Sequence, residues 1–383
     1  MLFIKNGYVK PMIGADIPNG CILVDNGKIL AVGADLEAPE GAEVIDAKGQ
    51  LVTPGCVEAH CHIGLDNEAM GWEGMDYNEI VEPITPQLRA IDSINPFDEA
   101  FSNAIRGGVT TACTGPGSAN VVGGTFTAIK LSGHRVDKMI VKEPVAMKCA
   151  FGENPKRCYG QNSKKSPMTR MGTAALLREL LFKAKRYQED KDNGNNPPFD
   201  MKLEAMLPVI RGEMPLKAHA HRADDILTAI RIAKEFGVKL TLDHCTDGAL
   251  IADELAEENY PAFVGPTFGN KSKIELTNKS FETPKILSDA GVTVSIITDA
   301  PVIPLQYLPM CAAFAVNAGL DTETAWHAIT INPANSTGIG DRVGSLEAGK
   351  DADIVIWTAD PMTTVGAESY ITILNGKVVY QAD

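Results

Sequence analysis

Five of the seven histidines in this 383-residue chain fall into three short clusters. His60 and His62 stand two apart in Pro54-Gly55-Cys56-Val57-Glu58-Ala59-His60-Cys61-His62. His219 and His221 repeat that spacing in Lys217-Ala218-His219-Ala220-His221, and His244 closes Leu240-Thr241-Leu242-Asp243-His244. A fourth run, Ser295-Ile296-Ile297-Thr298, ends on Asp299. Residues i and i+2 of a strand face the same side, so His60 and His62 converge on one point. Neutral imidazole is a strong ligand for zinc-class metals, and a carboxylate beside it can both ligate and carry a proton. One HxH alone is a weak signal, because two polar residues on an exposed strand face look the same. Strand ends that repeatedly offer His, and finally Asp, are hard to explain as packing. His134 and His327 stand alone and read as structural.

The elements that must position these side chains have two rhythms. Leu2–Val9, Cys21–Val32 and Glu43–Val52 read as β-hairpins, the first two around Asn6-Gly7 and Asn26-Gly27. Asn-Gly supplies the positive φ angles of a two-residue turn. Asp353–Trp357 and the run around Asn375-Gly376 return to that pattern, which predicts one small β-sandwich built from both termini. In between, a helix, a Gly stop and a β-branched strand recur. They run Asp98–Gly108 into Val109–Cys113, Ala223–Gly237 into Val238–Leu242, and Thr283–Gly291 into Val292–Ile297. That cadence predicts β/α units around a parallel sheet, and the length fits a (β/α)8 barrel. A doubly wound sheet is the competitor, but no GxGxxG follows an early strand. Gln188–Pro198 reads as a solvated loop after a helix over 174–186. Gly115–Ser118 and Gly123–Thr125 read as tight loops near the rim.

Composition narrows the function classes. Hydrophobic residues make up 44% and charged residues 22%, the balance of an ordinary globular chain. Net charge is −14, so a phosphate backbone is repelled and nucleic-acid binding is not expected. No apolar run is long enough for a membrane helix, and the start lacks the apolar core of a signal peptide. The eight cysteines include no CxxC and fit free thiols in a reducing cytoplasm. The expected partner is a small-molecule substrate, with a homo-oligomer left open.

In the order of these motifs the chain resembles the amidohydrolase superfamily, in particular its imidazolonepropionase-like branch. The resemblance runs from Leu51-Val52-Thr53-Pro54-Gly55 through the HxH, the later His and Asp positions, and the closing Gly344–Val355. It implies a (β/α)8 TIM-like barrel over residues 53–340, flanked by a β-sandwich of residues 1–52 plus 341–383. It also implies one or two divalent cations, zinc before iron or manganese. His60 and His62 would hold the first, His219 and His244 the second, and Asp299 would touch metal and shuttle a proton. His221 or His244 would help hold an oxyanion. Such a cation lowers the pKa of a bound water to near 7. Relatives bridge two metals with a carboxylated lysine or a glutamate. Lys148, mid-strand, and Glu153, at the rim, are the candidates, Glu153 ahead because it ligates without modification. Deaminase-like relatives carry His-x-x-Glu, whereas this chain reads His219-Ala220-His221-Arg222. Hydrolysis of an amide, cyclic amide or peptide C–N bond is therefore expected. The basic run after Glu153 suggests binding of a substrate carboxylate, with Arg157 and Arg222 as first candidates. A non-catalytic metal-binding protein on the same fold is the rival.

Overall fold

The structure, a computed structural model, describes residues 1–383. Sixteen strands form two sheets. The first uses both ends of the chain. Its strands are β1 (Leu2–Val9), β2 (Ile17–Asp25), β3 (Lys28–Gly33), β4 (Glu43–Asp46) and β5 (Leu51–Pro54). The second is barrel-like: β6 (Cys56–Cys61), β7 (Val109–Thr114), β8 (Val122–Lys130), β9 (Ile140–Ala150), β10 (Leu216–Ala220), β11 (Leu240–His244), β12 (Ala262–Val264) and β13 (Val294–Ile296). Strands β14 (Ile354–Trp357), β15 (Ser369–Leu374) and β16 (Lys377–Gln381) rejoin the first sheet, where β14 pairs with β5.

The terminal sheet corrects two of the expected hairpins. Asn26-Gly27 and Asn375-Gly376 do turn, with φ values of 48° and 78°, and 48° and 72°. Asn6-Gly7 does not turn; it lies inside β1, where the register with β2 slips. β4 and β5 do not pair with each other. Both run parallel to β1, β4 along its first half and β5 along its second. The sheet therefore forks at β1 and wraps a core that includes Ile4, Ile22, Ile354 and Ile373.

In the barrel the neighbours run in chain order from β6 to β13. β6 and β7 are parallel, and so are β9 through β13. β8 is the exception: it runs antiparallel to both β7 and β9. The expected run of β/α units fails there for a physical reason. A parallel partner needs a crossover of a dozen residues or more, and the short links on either side of β8 hold no crossover helix. Gly123–Thr125, expected in a loop, sits within β8. The helix after β9 runs from Arg170 to Asp192, so it takes up the first residues of the expected 188–198 loop.

Closure between β13 and β6 is made by single contacts rather than a ladder. His62 N donates to Ala300 O at 2.7 Å. The buried Glu58 carboxylate accepts from His60 N at 2.9 Å, from Thr298 N at 2.8 Å and from Thr298 Oγ1 at 2.7 Å. No helix of the protein is long and apolar enough to cross a membrane.

Candidate active site

The first strand of the barrel delivers His60 and His62 to its C-terminal mouth, and the chain after the last strand delivers Asp299. Asp299 Oδ1 lies 3.2 Å from His60 Nε2 and 3.2 Å from His62 Nε2. His62 Nδ1 lies 2.7 Å from Gly115 O. A carbonyl only accepts, so Nδ1 carries the proton and Nε2 keeps its lone pair. In its metal-binding tautomer His62 points the Nε2 lone pair toward the carboxylate, an arrangement that a cation between them completes. His60 Nδ1 faces Asp243 Oδ2 at 3.1 Å without hydrogen-bond alignment.

Across the mouth, β10 and β11 bring a second set together. The rings of His219, His221 and His244 form a near-equilateral triangle with centroid separations of 4.7, 4.5 and 4.6 Å. His244 Nδ1 lies 2.7 Å from Gly265 O, so Nε2 is again the free lone pair. His221 Nδ1 is held 2.8 Å from Thr246 Oγ1. The ligand atoms of each trio lie within 4.8 Å of one another. Burial pushes His60, His219, His221 and His244 below the usual imidazole range, His244 to about 3. These rings are neutral near pH 7, the form that binds metal. Two neutral-imidazole sets, one with an ionised carboxylate, fit divalent cations of the zinc class.

The backbone is strained where it carries these groups. His244 has φ 74°, Cys245 φ 45° and Asp299 φ 55°, all in the left-handed region that side chains avoid. Such conformations cost of order 1–3 kcal/mol each and cluster at functional sites.

Below the histidines lies a buried charge cluster. Asp243 accepts from Lys148 Nζ at 2.9 Å and Lys217 Nζ at 2.7 Å. Phe263 lies against Lys217, with Nζ 4.1 Å from the ring centre. Burial alone would favour a neutral Asp243, but the ammonium groups of Lys148 and Lys217 keep it ionised. Lys148 is fully buried, and its amine is committed to this carboxylate.

Two expected residues stand elsewhere. Glu153 does not reach either trio. Gly152, at φ 80°, turns the chain out of β9, and the Glu153 carboxylate lines a neighbouring pocket with Lys156, Arg157 and Arg222. Arg222 donates to Asp224 at 3.0 and 2.9 Å in that same pocket, not in the one above the histidines. Arg157 lines both. The pocket above the histidines measures about 430 Å3 and is also walled by Tyr77, Asn154 and Lys273.

Sequence reasoning missed Glu58, Asp243, Lys217 and Glu275. Glu58 shares the i, i+2 face of His60 and His62, a signal that was available. Asp243 and Lys217 are charges inside apolar strand runs. Glu275 sits in a polar loop with no local mark of burial, yet it is only 3% exposed.

Comparison with known proteins places the chain among amidohydrolases. The amidohydrolase family model matches residues 210–379. The solved structure of an amidohydrolase from Thermotoga maritima MSB8 superposes with a TM-score of 0.96 at 41% identity, covering 100% of both chains. Amidohydrolase tasK of Hapsidospora irregularis is 30% identical over 393 residues, 94% of this chain; the chain spans 40% of that relative's length. An imidazolonepropionase of Bacillus cereus (strain B4264) is 28% identical over 383 residues, covering 90% of this chain and 84% of that protein. The chain belongs to the amidohydrolase family, on its imidazolonepropionase-like side.

Proposed function

We propose that this protein is a metal-dependent amidohydrolase that cleaves the C–N bond of an amide or cyclic amide in a small substrate. The observation that carries this reading is the Asp299 carboxylate 3.2 Å from the Nε2 atoms of both His60 and His62. His60, His62 and Asp299 would hold one divalent cation, with zinc, iron and manganese as candidates, and the trio His219, His221 and His244 a second. A divalent cation at such a site polarises a substrate carbonyl and acidifies water.

The chain's own residues supply the rest. The ionised Asp299 takes a proton from the attacking water as its oxygen bonds to the carbonyl carbon. It returns that proton to the nitrogen as the C–N bond breaks, so no net charge is left behind. Glu58 holds the peptide N–H groups of His60 and Thr298, which fixes Asp299 against the histidine pair. Gly115 O and Gly265 O hold the tautomers of His62 and His244. Arg157 and Lys273 on the pocket wall favour a substrate with a carboxylate, which supports an N-acyl amino acid or a dipeptide. The imidazolonepropionase relatives support a cyclic amide instead. We read residues 53–340 as the catalytic unit, 1–52 with 341–383 as a supporting one, and the cytoplasm as its compartment.

A panel of N-acyl amino acids, dipeptides and cyclic amides identifies the substrate. Asp299→Asn should then lower kcat at least ~100-fold, the scale of general acid–base catalysis. An unchanged rate in that variant rules out the proton-shuttle role. Wild-type protein with no bound metal and no chelator-sensitive hydrolysis overturns the whole reading.

A further inference from the structure

We propose that Glu275 is the carboxylate of the second metal site, completing a His219–His221–His244–Glu275 donor set. This rests on the metal-dependent reading above and adds a residue to it. Glu275 lies in the short turn Ile274–Leu276, in the loop between β12 and β13. Its side chain is 1% exposed. One oxygen, Oε2, accepts from Glu153 N at 3.1 Å. That contact needs Gly152, because a Cβ there would stand 2.7 Å from Oε2.

The other oxygen, Oε1, has no aligned hydrogen bond. It stands 3.9 Å from His219 Nε2 and 3.8 Å from His221 Nε2. Donors at ~2.0–2.1 Å from one tetrahedral ion are ~3.3 Å apart, so Oε1 stands about half an ångström too far from His219 and His221. The three histidines, not Glu275, make up the group whose ligand atoms all lie within 4.8 Å of one another, so the turn at Ile274–Leu276 must close further to include His244. An ionised oxygen buried beside two neutral imidazoles is costly unless a cation joins them. Lys273 Nζ does approach Oε1 at 2.7 Å, but off the hydrogen-bonding axis. It lines the pocket above the histidines and also donates to Asn154 Oδ1 at 3.4 Å, so a cation at Oε1 must displace it. Of the other candidate ligands, Lys148 is engaged on Asp243, and Glu153 lines the neighbouring pocket and is in neither histidine group. Four protein donors make a closed site, whereas His60, His62 and Asp299 leave positions for water and substrate. The two ions would then divide their roles, one organising the mouth and one meeting the substrate.

Metal-stripped protein titrated with Zn2+ against a chromophoric chelator tests this, with Co2+ absorption as the second readout. Wild type should bind two equivalents. Glu275→Gln, which keeps an acceptor for Glu153 N, and Glu275→Ala should weaken one equivalent at least ~10-fold and alter one Co2+ spectrum. The other equivalent should keep wild-type affinity. Lys273→Met should bind both equivalents at least as tightly as wild type. Wild-type affinities and spectra in both Glu275 variants overturn the assignment. So does an equal loss in Lys273→Met and Glu275→Gln, which makes the carboxylate only the lysine's partner. Wild type that binds no metal at all overturns instead the metal-dependent reading on which this rests.

Discussion

Asp299 and the five histidines hold their geometry through partners that are not themselves ligands. Glu58 is the clearest. Burial pushes its pKa up to about 7, although three hydrogen bonds to its oxygens pull the other way. Removing the carboxyl leaves the buried N–H of His60, the N–H of Thr298 and the Thr298 hydroxyl without acceptors. Each unsatisfied buried donor costs roughly 1–3 kcal/mol, so Glu58→Ala should lose about 3 kcal/mol or more in a urea melt. It should also loosen metal at the His60 site, because both of its strand ends are freed. A variant with wild-type stability and metal content contradicts the positioning role.

Strands impose the site's spacing through the register of β9, β10 and β11. Lys217 pairs with Lys148 on one side, and His219 pairs with Asp243 on the other. That register stacks the charge cluster one layer beneath the imidazoles. β12 contributes through Gly265, whose carbonyl holds His244. Gly265 has φ 146°, and a Cβ there would stand 2.2 Å from Ile297 O. A side chain must therefore push β12 off the segment that leads to Asp299. Gly265→Ala should cost at least about 2 kcal/mol by strain and overpacking. It should weaken metal binding at both trios together, since the carbonyl under His244 and the approach to Asp299 move as one. Loss at neither trio sinks this link.

Two sheets of different origin meet around another buried charge group. Lys130, at the end of β8, lies 3.0 Å from Asp351 Oδ2 and 2.5 Å from Asp353 Oδ2. Lys28 of the terminal sheet and Arg342 close on Asp351 at 2.6 and 2.7 Å. Asp353 Oδ1 also accepts from Asn375 N at 2.9 Å, in the β15–β16 turn. Lys130→Met leaves the buried Asp353 without a countercharge, while Asp351 keeps Lys28 and Arg342, and should cost roughly 3–5 kcal/mol in chemical denaturation. Burial resists ionising Asp351, but Arg342, Lys130 and Lys28 lower its pKa to about 2 from 3.8. A carboxylate depressed on folding stabilises fully above its unfolded pKa. As pH falls from about 4 to about 2 the unfolded chain takes the proton first, and up to about 2 kcal/mol is lost. Asp351→Asn should lack that part of the acid dependence, which melts from pH 5 to pH 2 would reveal. An identical pH profile in the variant argues against it.

His60, His62, His219, His244 and Asp299 were legible in the chain because strand periodicity and strand-end placement are local properties. So were the terminal Asn-Gly turns at 26–27 and 375–376, whose backbone angles need only two residues. The antiparallel course of β8 was not legible, since strand direction depends on link length and on which neighbour is available. Nor was the choice between Lys148 and Glu153 as a bridging ligand, or the burial of Glu275. Their surroundings are set by distant segments: Asp243 takes the Lys148 amine, and the turn at Gly152 carries Glu153 out of β9. Spacing along a chain tells which side chains can share a face; which distant loop closes over that face is decided by packing.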